Sequence, residues 1–147
     1  MKEKLIYGTW YLISLLPFWC LYVLSDFLFI LIYYVFGYRK KVVLQNLRNA
    51  FPEKSEKEIK DIAYKFYRYF PDLIVESIKM ASIKPEEVIK RIELLNPEGV
   101  YQYTEKGKGV IGVTSHYGNW ELSIHRLSLM MDVPELIIYK HLNNKVF

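Results

Sequence analysis

From Leu5 to Phe36 the chain is apolar almost without interruption; "LIYGTWYLISLLPFWCLYVLSDFLFILIYYVF" holds one charged residue, Asp26. A helix needs roughly 20 apolar residues to cross a bilayer core, and this run exceeds that. Two geometries satisfy the pattern. One is a tilted or kinked spanning helix. The other is a pair of shorter helices broken near Pro17, where the ring removes a backbone donor and clashes with the preceding turn. Asp26 speaks against placing 18–36 across a bilayer centre, where a lone carboxylate costs several kcal/mol. Lys2 and Lys4 precede the run and Arg39, Lys40 and Lys41 follow it. Positive charge on both sides favours both ends on the cytoplasmic face. Tyrosines and tryptophans such as Tyr7, Trp10, Trp19 and Tyr38 suit the headgroup zone. The competing geometry is a buried core helix of a soluble protein.

Beyond residue 38 the pattern becomes amphipathic. "SEKE" at 55–58 is a capping box, with Ser55 as cap and Glu58 reaching back. It predicts a helix from Glu56 to about Tyr69, whose apolar positions Ile59, Ile62, Ala63, Phe66 and Phe70 recur at helical spacing. Pro71 is expected to bend or end it, with a further helical stretch over Asp72–Met80. Pro85 in a first turn, followed by Glu86 and Glu87, predicts a short helix to Arg91. "NPEGVYQYTEKGKG" predicts about two helical turns ending at Gly107. The periodicity then changes. "GVIGVTS" (109–115) is a short β-branched apolar run and predicts a buried strand. "WELSIHRLSLMM" (120–131) predicts a helix capped by Asn119, and "ELIIYK" (135–140) a second strand. Ile92–Leu95 is read as a third strand. Strand, helix and strand in some thirty residues form a parallel βαβ unit. The expected class is α/β: a membrane-associated N-terminal helix or helical hairpin (1–38), then a helical segment and the start of a mainly parallel sheet (39–147).

Composition narrows the partners. The net charge is +4 and the pI about 9.0 over 147 residues, which suits nucleic acid or an anionic membrane surface. Distribution decides between them. The basic residues of 39–68 alternate with Glu53, Glu56, Glu58 and Asp61, the pattern of a solvated helix face with i,i+4 pairs rather than a basic stripe. Nucleic acid is therefore not expected, and Tyr64, Phe66, Tyr67, Tyr69 and Phe70 read as core or as a lining for lipid. Arg39, Lys40 and Lys41 are expected at a membrane surface, where each cation adds about 1 kcal/mol of attraction to anionic lipid. The single cysteine, Cys20, excludes an intrachain disulfide.

The candidate chemistry lies in "SHYGNWE" (115–121). His116 is expected at the carboxyl end of a strand, where open α/β sheets place their sites. Glu121 is expected in the first turn of the next helix. In one continuous helix, residues five apart point about 140° away from each other. A strand–turn–helix corner removes that obstacle, because Gly118 lets the backbone fold tightly. Such a pair suits acyl transfer to a hydroxyl: neutral imidazole accepts the proton while the hydroxyl attacks a thioester carbonyl. The carboxylate fixes the tautomer and stabilises the imidazolium.

"HYGNWE" resembles the H-x4-D/E motif of lysophospholipid-type acyltransferases, and its Gly-Asn-Trp-Glu filling resembles the bacterial lipid A biosynthesis (late) acyltransferases. "RKKVVLQNLRNAFPEKSEKE" (39–58) is similar to that family's Arg…Asn-Leu…Phe-Pro-Glu block, and "ELIIYKHLNN" (135–144) to its apolar strand with a downstream Asn. The resemblance implies an enzyme of the bacterial inner membrane with its catalytic part facing the cytoplasm. It would carry a fatty acyl group from acyl carrier protein, or another thioester donor, to a hydroxyl of a lipid A precursor or related glycolipid. It implies His116 as general base, Glu121 as its partner, Asn119 and Gly118 as substrate-side or corner-shaping residues, and no cofactor. Family members are about twice this long, with a second block that includes an arginine, so the resemblance also implies the N-terminal half of an acyltransferase domain.

Two other functions compete. A metal site from His116, Glu121 and His125 would use two ligands four apart on one helix, but the spacing matches no strong zinc motif and no metal is expected. The other is a truncated, inactive, membrane-attached binding or scaffold fragment.

Overall fold

In the computed structural model, which describes residues 2–130 and 136–138, all the regular structure is helical. The apolar run splits as proline requires. Helix α1 spans Lys2–Ser14, Pro17 stands at the start of α2 (Phe18–Ile30), and α2 runs on into a π-helical turn, Leu31–Val35. Phe18–Val35 is thus 18 residues of mean hydropathy 1.9, long and apolar enough to cross a membrane. Helix α3 (Lys40–Ala50) follows, then α4 (Glu56–Lys79), α5 (Pro85–Arg91), α6 (Glu98–Thr104) and α7 (Trp120–Ser128).

The chain forms two compact units, one of Ile13–Lys79 and one of Met1–Leu12 with Met80–Phe147. In the first, α2 and α4 run antiparallel. Leu21, Phe29, Ile59, Ala63, Tyr67 and Val75 fill the seam between elements. Polar pairs run alongside it: Tyr22 donates to Glu76 at 2.9 Å, Ser25 donates to Asp72, and Arg68 donates to Asp26 at 2.8 Å. Asp26 is therefore not a lone carboxylate; its charge is matched by α4. The Lys79 ammonium closes the unit by donating to the Ser14 and Leu16 carbonyls, at 2.8 and 3.0 Å, and so satisfies acceptors that the break at Pro17 leaves open. The opposite face of α2, with Trp19, Val23, Phe27 and Ile30, is exposed.

Helix α4 begins as its capping box dictates. Ser55 N–H donates to Glu58 Oε2 at 2.9 Å, and Glu58 N–H reaches back to Ser55 Oγ at 3.4 Å. Pro71 does not end the helix, which continues unbroken to Lys79. The ring costs the bond to the residue-67 carbonyl, but Pro71 is wholly buried, and that packing holds the helix through the gap. Helix α3 was not foreseen, although Val43 and Leu47 lie one turn apart. Arg48 of α3 makes a two-pronged bond to Glu56, at 2.7 and 2.9 Å.

In the second unit α5 packs on α7 through Val88 and Leu122, both buried. Arg126 Nε donates to the Ile92 carbonyl at 3.1 Å, and Tyr101 donates to the Met130 carbonyl at 3.2 Å. Gly107, at φ +68, ends the α6 segment in the left-handed conformation, and the Lys108 amide bonds back to Tyr103 at 3.1 Å.

The expected sheet is not formed among the described residues, and the α/β class is overturned on that point. Residues 109–115 carry no ladder, and Ile111 and Val113 are each 91% exposed. Residues 92–95 and 136–138 are likewise not strands; the remainder of the second expected strand (135–140) lies outside the described residues. A strand is completed by its neighbour's N–H and C=O groups, so β-branched composition alone does not make one.

Candidate active site

The 115–121 stretch folds as coil, tight turn and helix. The Tyr117 amide donates to the Ser115 carbonyl at 2.8 Å, a three-residue turn with His116 at its apex. Gly118 follows at φ +60, a conformation that favours glycine because a Cβ there crowds the following carbonyl. The chain is then aimed into α7, and Asn119 caps it: its Oδ1 accepts from the Leu122 amide at 3.0 Å. Asn119 and Gly118 shape the corner, each through an identifiable backbone role.

His116 is exposed at the apex. The described contact of its imidazole is an oblique packing on the Trp120 indole, with ring centroids 5.0 Å apart at 59°, rather than a hydrogen bond to Glu121. Glu121 stands in the first turn of α7, also exposed. A carboxylate there is favourably placed at the positive end of the helix dipole. The corner thus puts both groups on one short, open stretch of chain, with the imidazole leaning on Trp120. His125 lies one turn beyond Glu121, and its Nδ1 is buried with no hydrogen-bond partner among the described residues. Among the described residues no group of three or more His, Cys, Asp or Glu side chains could hold a metal ion.

Arg39, Lys40 and Lys41 stand where the apolar run meets α3. Arg39 is itself left-handed, at φ +53, and so is Gly37, at φ +57. The Tyr67 hydroxyl donates to the Tyr38 carbonyl between them, at 2.6 Å. Burial pushes the Tyr67 phenol above its ordinary value, the neighbouring Tyr33 adds to that, and Arg39 opposes it; the hydroxyl therefore keeps its proton and remains a donor. Lys40 Nζ sits 3.7 Å from the centre of the Tyr33 ring, a cation–π contact. Two features escaped the sequence: the packing of Trp120 on His116, signalled only by their i,i+4 spacing, and the grouping of Arg39, the residue before α3, with Asn46 of α3 in the lining of one cavity.

The family model for "Bacterial lipid A biosynthesis acyltransferase" matches residues 3–147. Comparison with curated proteins and with solved structures gave no match.

Proposed function

Because this chain belongs to the bacterial lipid A biosynthesis acyltransferase family, we propose that it transfers a fatty acyl group from acyl carrier protein or a similar thioester to a hydroxyl of a lipid A precursor or related glycolipid. His116 is the general base. Its imidazole takes the hydroxyl proton as the oxygen attacks the thioester carbonyl; the carbon–sulfur bond then breaks, and the imidazolium returns that proton to the departing sulfur, which leaves as the thiol. Glu121 turns toward the other ring nitrogen in the substrate-bound state, fixing the tautomer and stabilising the imidazolium. Trp120 limits the orientations the ring explores, and N–H groups of the first turn of α7 help to stabilise the oxyanion. The observation that carries this is the Asn119-capped corner, which presents His116 beside the start of the helix bearing Glu121.

The reaction takes place at the cytoplasmic surface of the inner membrane. Residues 1–38 attach the chain there, with Arg39, Lys40 and Lys41 at the headgroups, and 39–147 belong to the acyltransferase domain. The attachment is interfacial rather than spanning. Helix α2 is bonded along one side to Arg68, Asp72 and Glu76 of α4, and carrying those groups to a bilayer centre would cost several kcal/mol each. The opposite face of α2 needs no such partner and enters the acyl region of one leaflet.

The test is transfer of a radiolabelled acyl group from acyl carrier protein to a lipid A precursor by this chain. Transfer that is lost in His116→Ala and reduced in Glu121→Gln is expected. Full transfer by His116→Ala overturns the general-base role. One observation favours a second function, a membrane-attached binding fragment without transfer: the open, unladdered 109–115 segment leading into His116. Failure of the unaltered chain to transfer, with membrane binding intact, would select it.

A further inference from the structure

In the Ile13–Lys79 unit, a cavity of about 250 Å³ opens between the start of α3 and the middle of α4. Its walls are of two kinds. Val42, Val43, Phe66 and Phe70 supply apolar surface, the two phenylalanines stacked at 5.5 Å and 22°. Arg39 and Asn46 supply five guanidinium donors and an amide. Neither side chain makes a hydrogen bond or ion pair with another described residue, unlike those of Arg48 and Arg68, which are bonded to carboxylates. Among the described residues, those that line the cavity include no carboxylate. Arg39 is also held in the left-handed conformation that residues with a Cβ rarely adopt, and the Tyr67 hydroxyl bond to the Tyr38 carbonyl braces it. The first turn of α3 has no side-chain cap and adds to the same sign of potential.

We infer that this cavity binds the phosphate-bearing head of an anionic amphiphile, with the phosphate on Arg39 and Asn46 and the first carbons of its chain against Val42, Val43, Phe66 and Phe70. Guanidinium and phosphate match as paired donors and acceptors. The volume holds a head group and a few methylenes, not a whole lipid, so the rest of the chain stays in the leaflet that α2 enters. The site is distinct in sequence from the His116 corner. It rests on the membrane-surface function proposed above only for the source of the ligand, which is a bilayer phospholipid rather than free phosphate.

The test is photolabelling of the full chain in uncharged maltoside micelles doped with phosphatidic acid bearing a diazirine near the head of its acyl chain. The matched phosphatidylcholine probe is the control. Neither acyl donor nor acceptor is present, so the result is independent of whether the chain transfers acyl groups. Labelling within 38–46 and 66–70, stronger by at least about fivefold for the phosphatidic acid, is expected. Arg39→Asn, which tolerates the left-handed backbone, should bring that labelling down to the choline level. Asn46→Leu, which asks nothing unusual of the backbone, should lower it about twofold to threefold, and Lys57→Gln, on the exposed start of α4, should leave it unchanged. Equal labelling by the two probes overturns the site, as does full labelling of both Arg39→Asn and Asn46→Leu, or loss in Lys57→Gln equal to that in Arg39→Asn. Complete suppression by millimolar inorganic phosphate would make free phosphate the ligand and overturn the lipid assignment.

Discussion

At the scale of single residues, the corner at 115–121 separates the roles of its members. Asn119 accepts one amide of α7 and should be worth about 1 kcal/mol to the helix, so Asn119→Ala should lower the stability of the second unit by that amount in urea titration. His125 tells an opposite story. Its Nδ1 is buried without a partner among the described residues, and an unpaired buried polar atom costs about 1–3 kcal/mol. Replacing it by leucine should therefore leave the melting temperature unchanged or raise it, whereas a fall of several degrees would show a bond to that nitrogen. The sequence made Asn119 and Gly118 legible because capping and left-handed turns have strong residue preferences. It could not show that the imidazole packs on Trp120, since ring orientation depends on a turn geometry that no single residue type demands.

Elements were legible where the chemistry that ends them is local. The Ser55–Glu58 box, Pro85 and Gly107 mark helix ends through bonds made within a few residues. Of the two outcomes expected at Pro71, a bend or an end, the end does not occur: its local cost is real, but its burial holds α4 continuous into the helical stretch expected after it. The start of α4 also carries a pH dependence. Glu58 is held below the ordinary 4.5 by its bonds to Ser55, and Glu56 by its bond to Arg48. A carboxylate whose folded pKa is depressed stabilises the fold above its unfolded pKa and loses that contribution as pH falls through the folded value. Helicity measured by circular dichroism from pH 7 down should hold until free glutamates begin to titrate and then fall progressively as the pH drops toward the lower folded values. Glu58→Gln should remove part of that acid-induced loss. On α2, the outer face gives a sharper test. Trp19 is 70% exposed, so its fluorescence should shift to the blue and be quenched by brominated lipid in anionic vesicles. Val23→Glu, on the same face, should release the chain from those vesicles, while binding unchanged by that charge would remove α2 from the membrane surface.

For the whole molecule, the two units differ in how much they rest on pairing at a distance. In Ile13–Lys79, Leu21 is fully buried, and Leu21→Ala should cost about 2–5 kcal/mol of stability in denaturant. Its apolar stripes recur at helical spacing, so that unit could be read in outline from periodicity. The expected sheet could not be, because 109–115 shows strand composition but no strand neighbour among the described residues. Family membership was legible nonetheless, since the motif is contiguous, and so were the Gly118 turn and the Asn119 cap, but the strand expected to end at His116 is not formed among the described residues. The most direct measurement is mass-spectrometric detection of the acylated lipid A precursor after incubation with acyl-loaded carrier protein, for the unaltered chain and for His116→Ala side by side. A product heavier than the acceptor by one acyl group, falling by about 10²–10⁴-fold in rate when His116 is removed, is the predicted result. The same rate of product formation with and without the imidazole would contradict it.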